Sequence, residues 1–187
     1  MIHVCYALND SSGKYSKFLG TSIQSLLENT KSEVTIHVIH DSTLSHENRK
    51  KLMSIVYRFN QEIEFHAADF QRLENAKRIS LIQQFPERLT MFYRLMIPEI
   101  IDGSKVIYLD ADTIVNLDIN ELWTIDLSNY PIAAVSEMSA GANSNAPRMW
   151  QTVQTGVVDV NDQFNAGILL MNLDFIRKFV RGGGQKI

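Results

Sequence analysis

Two aspartates, one residue apart, directly follow an apolar run near the middle of the chain. The stretch Lys105 to Val115 reads KVIYLDADTIV, where Val106 to Leu109 is typical of a buried strand and Asp110 and Asp112 follow its end. Ligands collect at the carboxyl ends of strands in open α/β sheets, and side chains two residues apart in an extended or tightly turning backbone share a side. Both carboxylates are therefore expected to face one divalent cation, and their hard oxygens suit manganese, magnesium or calcium.

The same spacing also occurs in ordinary turns, where a pair of acids simply caps a loop. Ala111, between the two aspartates, is small enough to let a ligand approach the backbone, and Thr113 ends the polar patch. Short acidic motifs have a high false-positive rate, so the motif alone leaves a purely structural role open.

Composition narrows the class of protein. A chain of 187 residues, 45% hydrophobic and 21% charged, suits one globular domain with a real core. A net charge of −3 provides no broad basic surface, so nucleic acid is not an expected partner. The single cysteine, Cys5, lies in an apolar run, which predicts a core thiol and a reducing compartment. The N-terminal apolar run is too short for a signal or a membrane span, so we expect a cytoplasmic location.

Apolar periodicity predicts an α/β fold with a mostly parallel central sheet flanked by helices. The expected strands are Ile2–Leu8, Val34–Ile39, Ile63–Ala67, Val106–Leu109, Ile132–Val135 and Phe164–Leu173. The expected helices are Ser16–Asn29, one capped by Ser45, one over Leu89–Met96 that ends or kinks near Pro98, and Phe175–Val180 capped by Asp174. Because strands and helices alternate before residue 70, we expect a single Rossmann-like domain over residues 1–187.

Two polar segments lack clear periodicity. Residues 69–84 are expected to form a loop with a short helix. Residues 137–163 are rich in Ser, Ala, Gly, Asn and Gln, and a segment of that length inside a domain is usually functional or disordered. We expect it to be a lid.

Other kinds of site find little support in the sequence. His37 and His40, three apart on a strand, are expected to point to opposite faces, and His3, His46 and His66 are scattered singly, so ordinary core or surface histidines are expected. No Cys/His spacing indicates zinc. The chain also lacks G-x-S-x-G, G-x-x-x-x-G-K-[ST] and G-x-G-x-x-G motifs. Phosphates, if bound, would need a metal and an arginine.

Five separated blocks together resemble family 8 of the glycosyltransferases, retaining enzymes that include bacterial lipopolysaccharide galactosyltransferases and glycogenin. The blocks are YALND (Tyr6–Asp10), LGTSIQSLLENT (Leu19–Thr30), YRLMIPEII (Tyr93–Ile101), KVIYLDADTIV and FNAGILLMNL (Phe164–Leu173). The resemblance implies a GT-A domain that binds a nucleotide sugar, usually a UDP-sugar, with Mn²⁺ or Mg²⁺. It also implies transfer of a hexose to a saccharide or glycolipid acceptor, as in lipopolysaccharide biosynthesis.

The resemblance further implies a metal-binding role for Asp110 and Asp112, which match the family's D-x-D pair. Asp110 and Ala111 would also lie near the donor. Ala7 and Asn9 match positions that hold the uracil and ribose, although the family often has Asp where this chain has Asn9.

Two further blocks would complete the donor site. By the same resemblance, Arg94 matches a basic residue that reaches the donor, and Asn165, Ala166 and Gly167 match the segment along the transferred sugar. Neither the role of the metal ion nor that of Arg94 requires a protein nucleophile. Retention could arise by double displacement or by attack from the leaving-group side, and the sequence identifies no catalytic residue.

One departure from the family pattern concerns the third metal ligand. Family members usually continue with a D-Q-D-type segment and a late histidine that completes the metal site, whereas no histidine follows His66 here. We therefore expect weak metal retention and little or no transfer by these 187 residues alone. The sequence leaves a homo-oligomer open.

Two other functions compete with this interpretation. One is a nucleotide-sugar-binding module that has lost turnover. The other is a haloacid-dehalogenase-type phosphatase, in which Asp110 would be the phosphorylated nucleophile and Asp112 the acid/base. That motif usually lies near the chain start with a lysine and an acidic pair downstream, and here only Lys178 and Lys186 follow it.

Overall fold

A six-stranded sheet with flanking helices forms the framework of the protein in a computed structural model, which describes residues 1–68, 86–136 and 164–181. The strands are β1 Ile2–Leu8, β2 Val34–His40, β3 Glu62–Ala67, β4 Lys105–Leu109, β5 Ile132–Ser136 and β6 Phe164–Asn172. The helices are α1 Tyr15–Asn29, α2 His46–Tyr57, α3 Ile97–Ile100, α4 Asn120–Trp123 and α5 Leu173–Arg181, and a 3-10 helix, Pro86–Met96, leads into α3. The segments predicted as a loop with a short helix and as a lid lie outside the described residues.

The strand order is β3-β2-β1-β4-β6-β5. The first four strands are parallel, whereas β6 runs antiparallel to β4, and β5 antiparallel to β6. The predicted α/β fold is confirmed. Because β6 is reversed, Ile168 in its middle pairs with Leu109 at the end of β4, and the residues before Ile168 extend beyond that end. The beginning of β6 thus reaches the edge where the parallel strands end.

Alternating residues of the strands pack into two hydrophobic cores, one on each face of the sheet. The core on the first face joins β1, β2 and β4 to the two long helices; its members include Val4, Tyr6, Ile36, Val38, Leu19, Ile23, Leu26 and Leu52. The core on the second face includes Cys5, Ala7, Ile39, Tyr93, Ile97, Tyr108 and Leu173. Cys5 is fully buried, as predicted, and burial raises the pKa of its thiol.

The predicted helix caps have different outcomes. Ser45 caps α2 as expected, since its hydroxyl accepts the backbone N–H of Asn48 at 3.1 Å. The prediction that Asp174 caps the last helix is wrong. α5 begins directly after β6, so Asn172 precedes its first residue and accepts the Phe175 N–H at 2.9 Å.

The segment before Pro98 is a 3-10 helix rather than the expected α-helix. It ends at Met96, and α3 begins at Ile97 with Pro98 in its first turn. Proline is tolerated there because the first N–H groups of a helix have no intrahelical acceptor. None of the described helices is both long and apolar enough to cross a membrane.

Candidate functional site

Polar side chains gather where the parallel strands end. Asn9 follows β1, Asp41 follows β2 and Asp110 follows β4, and the reversed β6 brings Gly167 to the same edge. This is the edge at which open α/β sheets bind ligands.

Asp110 is held by contacts from three separate elements. Its backbone N–H donates to the carbonyl of Gly167 at 2.8 Å. Its Oδ1 accepts the Tyr108 hydroxyl at 2.7 Å and lies 3.3 Å from Nη2 of Arg94. The side chain is still 41% exposed, so a ligand can reach it. The carboxylate is therefore positioned and accessible at once.

A tight turn carries the second aspartate. The backbone N–H and hydroxyl of Thr113 both donate to the Asp110 carbonyl, at 3.2 and 2.9 Å. The Thr113 hydroxyl also lies 3.0 Å from that of Ser22, which ties the turn to α1. Asp112, in this turn, is exposed and accepts the Tyr15 hydroxyl at 3.4 Å. Burial, and then the charges of Asp112 and Asp110, raise the pKa of Tyr15, so both carboxylates act on this one hydroxyl.

Arg94 links the strand end to the start of β6. Its Nη1 donates to the Ala166 carbonyl, and its Nε donates to the Met91 carbonyl at 2.8 Å. The guanidinium lies 4.5 Å over the Tyr108 ring, and only 14% of the side chain is exposed. Burial raises the pKa of Tyr108 against the opposing charge of Arg94, so the phenol stays a neutral donor to Asp110.

Asn9 belongs to a neighbouring group centred on Asp41. Its Nδ2 donates to Asp41 Oδ2 at 2.6 Å, and the Tyr93 hydroxyl donates to the same oxygen at 2.9 Å. Thr43 donates to Oδ1 through its backbone N–H and its hydroxyl. Burial alone would raise the pKa of Asp41, but hydrogen bonds from Thr43, Asn9 and Tyr93 hold it below its ordinary value. Asp41 therefore stays ionised beside Asn9.

The remaining predicted site residues differ in exposure. Ala7 and Ala111 are buried, with 5% and 3% of their surface exposed, so their side chains belong to the core. Asn165 and Ala166 are exposed at the start of β6, and Asn165 Oδ1 accepts the Gly167 N–H at 2.8 Å.

Sequence reasoning missed three residues that shape this edge: Asp41, Tyr93 and Tyr108. Asp41 carried the same signal as Asp110, a carboxylate directly after a buried strand, but was not singled out. The tyrosines gave no local signal, because their roles depend on which strands and helices become neighbours.

The two aspartates fit a hard divalent cation. One is exposed, the other is partly exposed, and carboxylate oxygens are the ligands that Mn²⁺ and Mg²⁺ accept. Within the described part of the chain, neither aspartate belongs to a close group of three His, Cys, Asp or Glu side chains. The described part of this edge thus offers these two carboxylates and no third close ligand of those types.

The prediction that His3 and His66 are scattered singly is wrong, because both lie against His37. His3, His37 and His66 form a row across β1, β2 and β3, with ring nitrogens 3.0 and 3.1 Å apart. Parallel pairing of these strands brings the rings onto one face. The row could have been found only by combining the alternation within each strand with the strand order.

The sheet order, the reversed sixth strand and the carboxylates at the strand ends define the GT-A fold of glycosyltransferases. The structure superposes on the galactosyltransferase LgtC, solved in complex with donor and acceptor sugar analogs, with a TM-score of 0.72 and 22% identity. The match covers 95% of this chain and 60% of that one.

The chain belongs to glycosyl transferase family 8, whose model matches residues 3–179. It is 31% identical over 183 residues to general stress protein A of Bacillus subtilis (strain 168), covering 95% of this chain and 58% of that protein. It is 29% identical over 164 residues to a putative glycosyltransferase of Haemophilus influenzae (strain ATCC 51907 / DSM 11121 / KW20 / Rd), covering 86% and 46%. The chain thus spans about half the length of these curated relatives.

Proposed function

We propose that the polar residues at the ends of the parallel strands form the donor-binding part of a retaining glycosyltransferase. The enzyme would move a hexose from a UDP-sugar to a saccharide or glycolipid acceptor. Asp110 and Asp112 would hold a Mn²⁺ or Mg²⁺ ion. The observation that carries the proposal is the convergence on Asp110 of Arg94 and of the carbonyl-bearing segment Ala166–Gly167. The resemblance assigned the metal, the donor and the transferred sugar to these three sequence blocks, and they are in direct contact.

Each residue would have a distinct physical task. The cation, when bound, would stabilise negative charge on the departing diphosphate as a Lewis acid. Arg94 would donate charge-assisted hydrogen bonds to the same phosphate or to a sugar hydroxyl, with its plane fixed by Tyr108. The Asn9 group would bind the nucleoside, and the start of β6 would lie along the sugar.

A nucleotide-sugar-binding module without turnover is the second candidate. It is favoured by the metal site, in which the described residues supply two carboxylates and no third close ligand. The phosphatase interpretation is not retained, because the chain belongs to glycosyl transferase family 8. The single domain over 1–187, the cytoplasmic location and the homo-oligomer stay predictions.

Titration calorimetry with UDP, with and without Mn²⁺, tests donor binding. We expect binding that requires Mn²⁺ and weakens at least tenfold in Asp112→Asn, equivalent to about 1.4 kcal/mol. Asp102→Asn changes an exposed aspartate near the opposite end of β4 and serves as the matched control. Equal binding with and without Mn²⁺, or equal binding by the two variants, would overturn the metal assignment.

Release of UDP from UDP-sugars in the presence of saccharide acceptors then separates the two candidates. Binding with sugar transfer supports the enzyme. Binding without transfer supports the module.

A further inference from the structure

A second group of potential metal ligands lies on the two outermost parallel strands. The Nδ1 atom of His37 lies 3.1 Å from Nε2 of His66 and 3.4 Å from Oε2 of Glu64. The third side of this triangle, from His66 Nε2 to Glu64 Oε2, measures 3.6 Å. Three ligand atoms from two neighbouring strands thus converge on one point.

The size of this triangle matches a tetrahedral metal centre. Bonds of about 2.0–2.1 Å to a tetrahedral Zn²⁺ place any two ligand atoms roughly 3.3–3.4 Å apart. The three observed separations lie on either side of that value. An ion could therefore contact His37, Glu64 and His66 with only small movements of their side chains. A hydrogen bond between the two imidazoles would account for their separation, but it would not account for the Glu64 carboxylate beside them.

The other ring nitrogen of His37 has the partner that a metal-binding histidine usually has. His37 Nε2 lies 3.0 Å from Nδ1 of His3, and the two rings are stacked. An N–H donated from His37 Nε2 to His3 leaves the Nδ1 lone pair directed at the triangle. Outer partners of this kind fix the tautomer and orientation of metal-bound imidazoles.

The triangle is open to solvent on one side. Exposure of the side chain rises from 4% at His37 to 19% at His66 and 55% at Glu64. An ion could enter past Glu64 and keep a water molecule in its fourth position.

The triangle is separate from the Asp110 site. Asp110 follows Leu109, which is level with Tyr6 and Val38 across the sheet. Spacings of about 4.8 Å between strands and 3.3 Å per residue put the Cα atoms of His37 and Asp110 roughly 12 Å apart. One ion cannot serve both places.

We propose that His37, Glu64 and His66 bind a Zn²⁺ ion that fastens the edge strand β3 to β2. Two imidazoles and one carboxylate are a common set of protein ligands for zinc. Among the described residues, β3 pairs with the sheet on one side only, so an ion shared between β2 and β3 would stabilise the edge of the sheet. This inference does not rest on the proposed glycosyl transfer.

Zinc affinity of tag-free, chelator-treated protein, measured by competition with a chromophoric chelator, tests the site. We expect one tightly bound Zn²⁺ per chain and a loss of affinity of at least a hundredfold in His66→Ala. His46→Ala removes an exposed histidine outside the triangle, and Asp112→Asn alters the other site; both are expected to retain the ion. Equal zinc affinity in His66→Ala and wild type, or loss of the ion in Asp112→Asn, would overturn the proposal.

Two further measurements do not depend on how well His66→Ala folds. Co²⁺ bound to the wild-type protein is expected to show the intense visible absorption of a tetrahedral site. Added Zn²⁺ is expected to raise the midpoint of thermal unfolding of the wild type, because it binds only the native state, and to raise that of Glu64→Gln less. Octahedral Co²⁺ spectra, or the same zinc-induced shift in Glu64→Gln, would contradict the assigned ligands.

Discussion

The backbone N–H of Asp110 donates to the carbonyl of Gly167, and the Asp110 carboxylate packs against the position where a side chain at residue 167 would begin. A Cβ added to Gly167 would lie 2.7 Å from Asp110 Oδ2 and 3.3 Å from its Cγ. Real Cβ atoms essentially never approach so closely, so the carboxylate and any side chain at 167 exclude each other.

Gly167→Ala is therefore expected to move the Asp110 carboxylate and weaken Mn²⁺-dependent UDP binding about tenfold or more, or roughly 1.4 kcal/mol. Calorimetry measures the loss. Gly103→Ala is the matched control, because a Cβ there meets its nearest atom, in His3, at an ordinary 3.7 Å. Equal affinities for the two variants would show that the Asp110 carboxylate can move without cost.

Arg94→Lys is expected to weaken donor binding although the charge is kept. A lysine cannot contact Ala166, Met91 and Asp110 together and lacks the planar group that stacks on a tyrosine ring. We expect a tenfold or greater loss of UDP affinity by calorimetry. Arg49→Lys removes a comparable stacking contact, 4.4 Å over the Phe65 ring, and should leave UDP affinity unchanged. Similar losses in both variants would point to general destabilisation.

Asn9→Asp tests the amide that faces Asp41. The substitution would place a second carboxylate beside that of Asp41, at about the 2.6 Å distance of the present hydrogen bond. Repulsion between the two carboxylates would raise the pKa of the pair. A raised pKa in the folded state costs stability above that pKa, and the cost falls as the pair takes up a proton at lower pH. The thermal midpoint of Asn9→Asp should therefore fall further below wild type at pH 8 than at about pH 5. Asn9→Ala, which adds no charge, should show no such difference.

Asp41 should contribute a pH-dependent part of the stability. Its pKa is lowered in the folded state, so the unfolded chain binds its proton at higher pH. The contribution is fully present above the unfolded value of about 3.9 and is lost as the pH falls through the lower folded value. Urea unfolding at a series of pH values should show a shallower decline below about pH 4 in Asp41→Asn than in wild type. A parallel decline in both would mean that the Asp41 hydrogen bonds do not favour its charged form.

Local patterns predicted the strands well and the type of helix before Pro98 less well. Ile2–Leu8 is a strand over the predicted residues, because nearly every position in it is buried and the next residues form a turn. The segment before Pro98 was predicted as an α-helix and is a 3-10 helix. Its apolar spacing could not distinguish the two kinds of helix.

The donor-site predictions depended on resemblance more than on local pattern. Asp110 could be singled out from its strand, but its contact with Gly167 depends on the reversal of β6, and its contact with Arg94 depends on where the 3-10 helix packs; no local pattern encodes either. The histidine triangle was missed for the same reason, since it requires the order of strands as well as the face of each residue.

Antiparallel pairing of β4 with β6 also constrains the order of folding. Asp110 and Gly167 meet only after a long intervening stretch of chain has closed into a loop, and such distant contacts form late because closure costs entropy before any contact compensates for it. Pairing of β4 with β1 closes an even longer stretch, since Val4 pairs with Ile107. A nucleotide that binds at this edge would consequently recognise the finished sheet and ignore earlier intermediates, so the onset of binding during refolding would report the completion of the sheet.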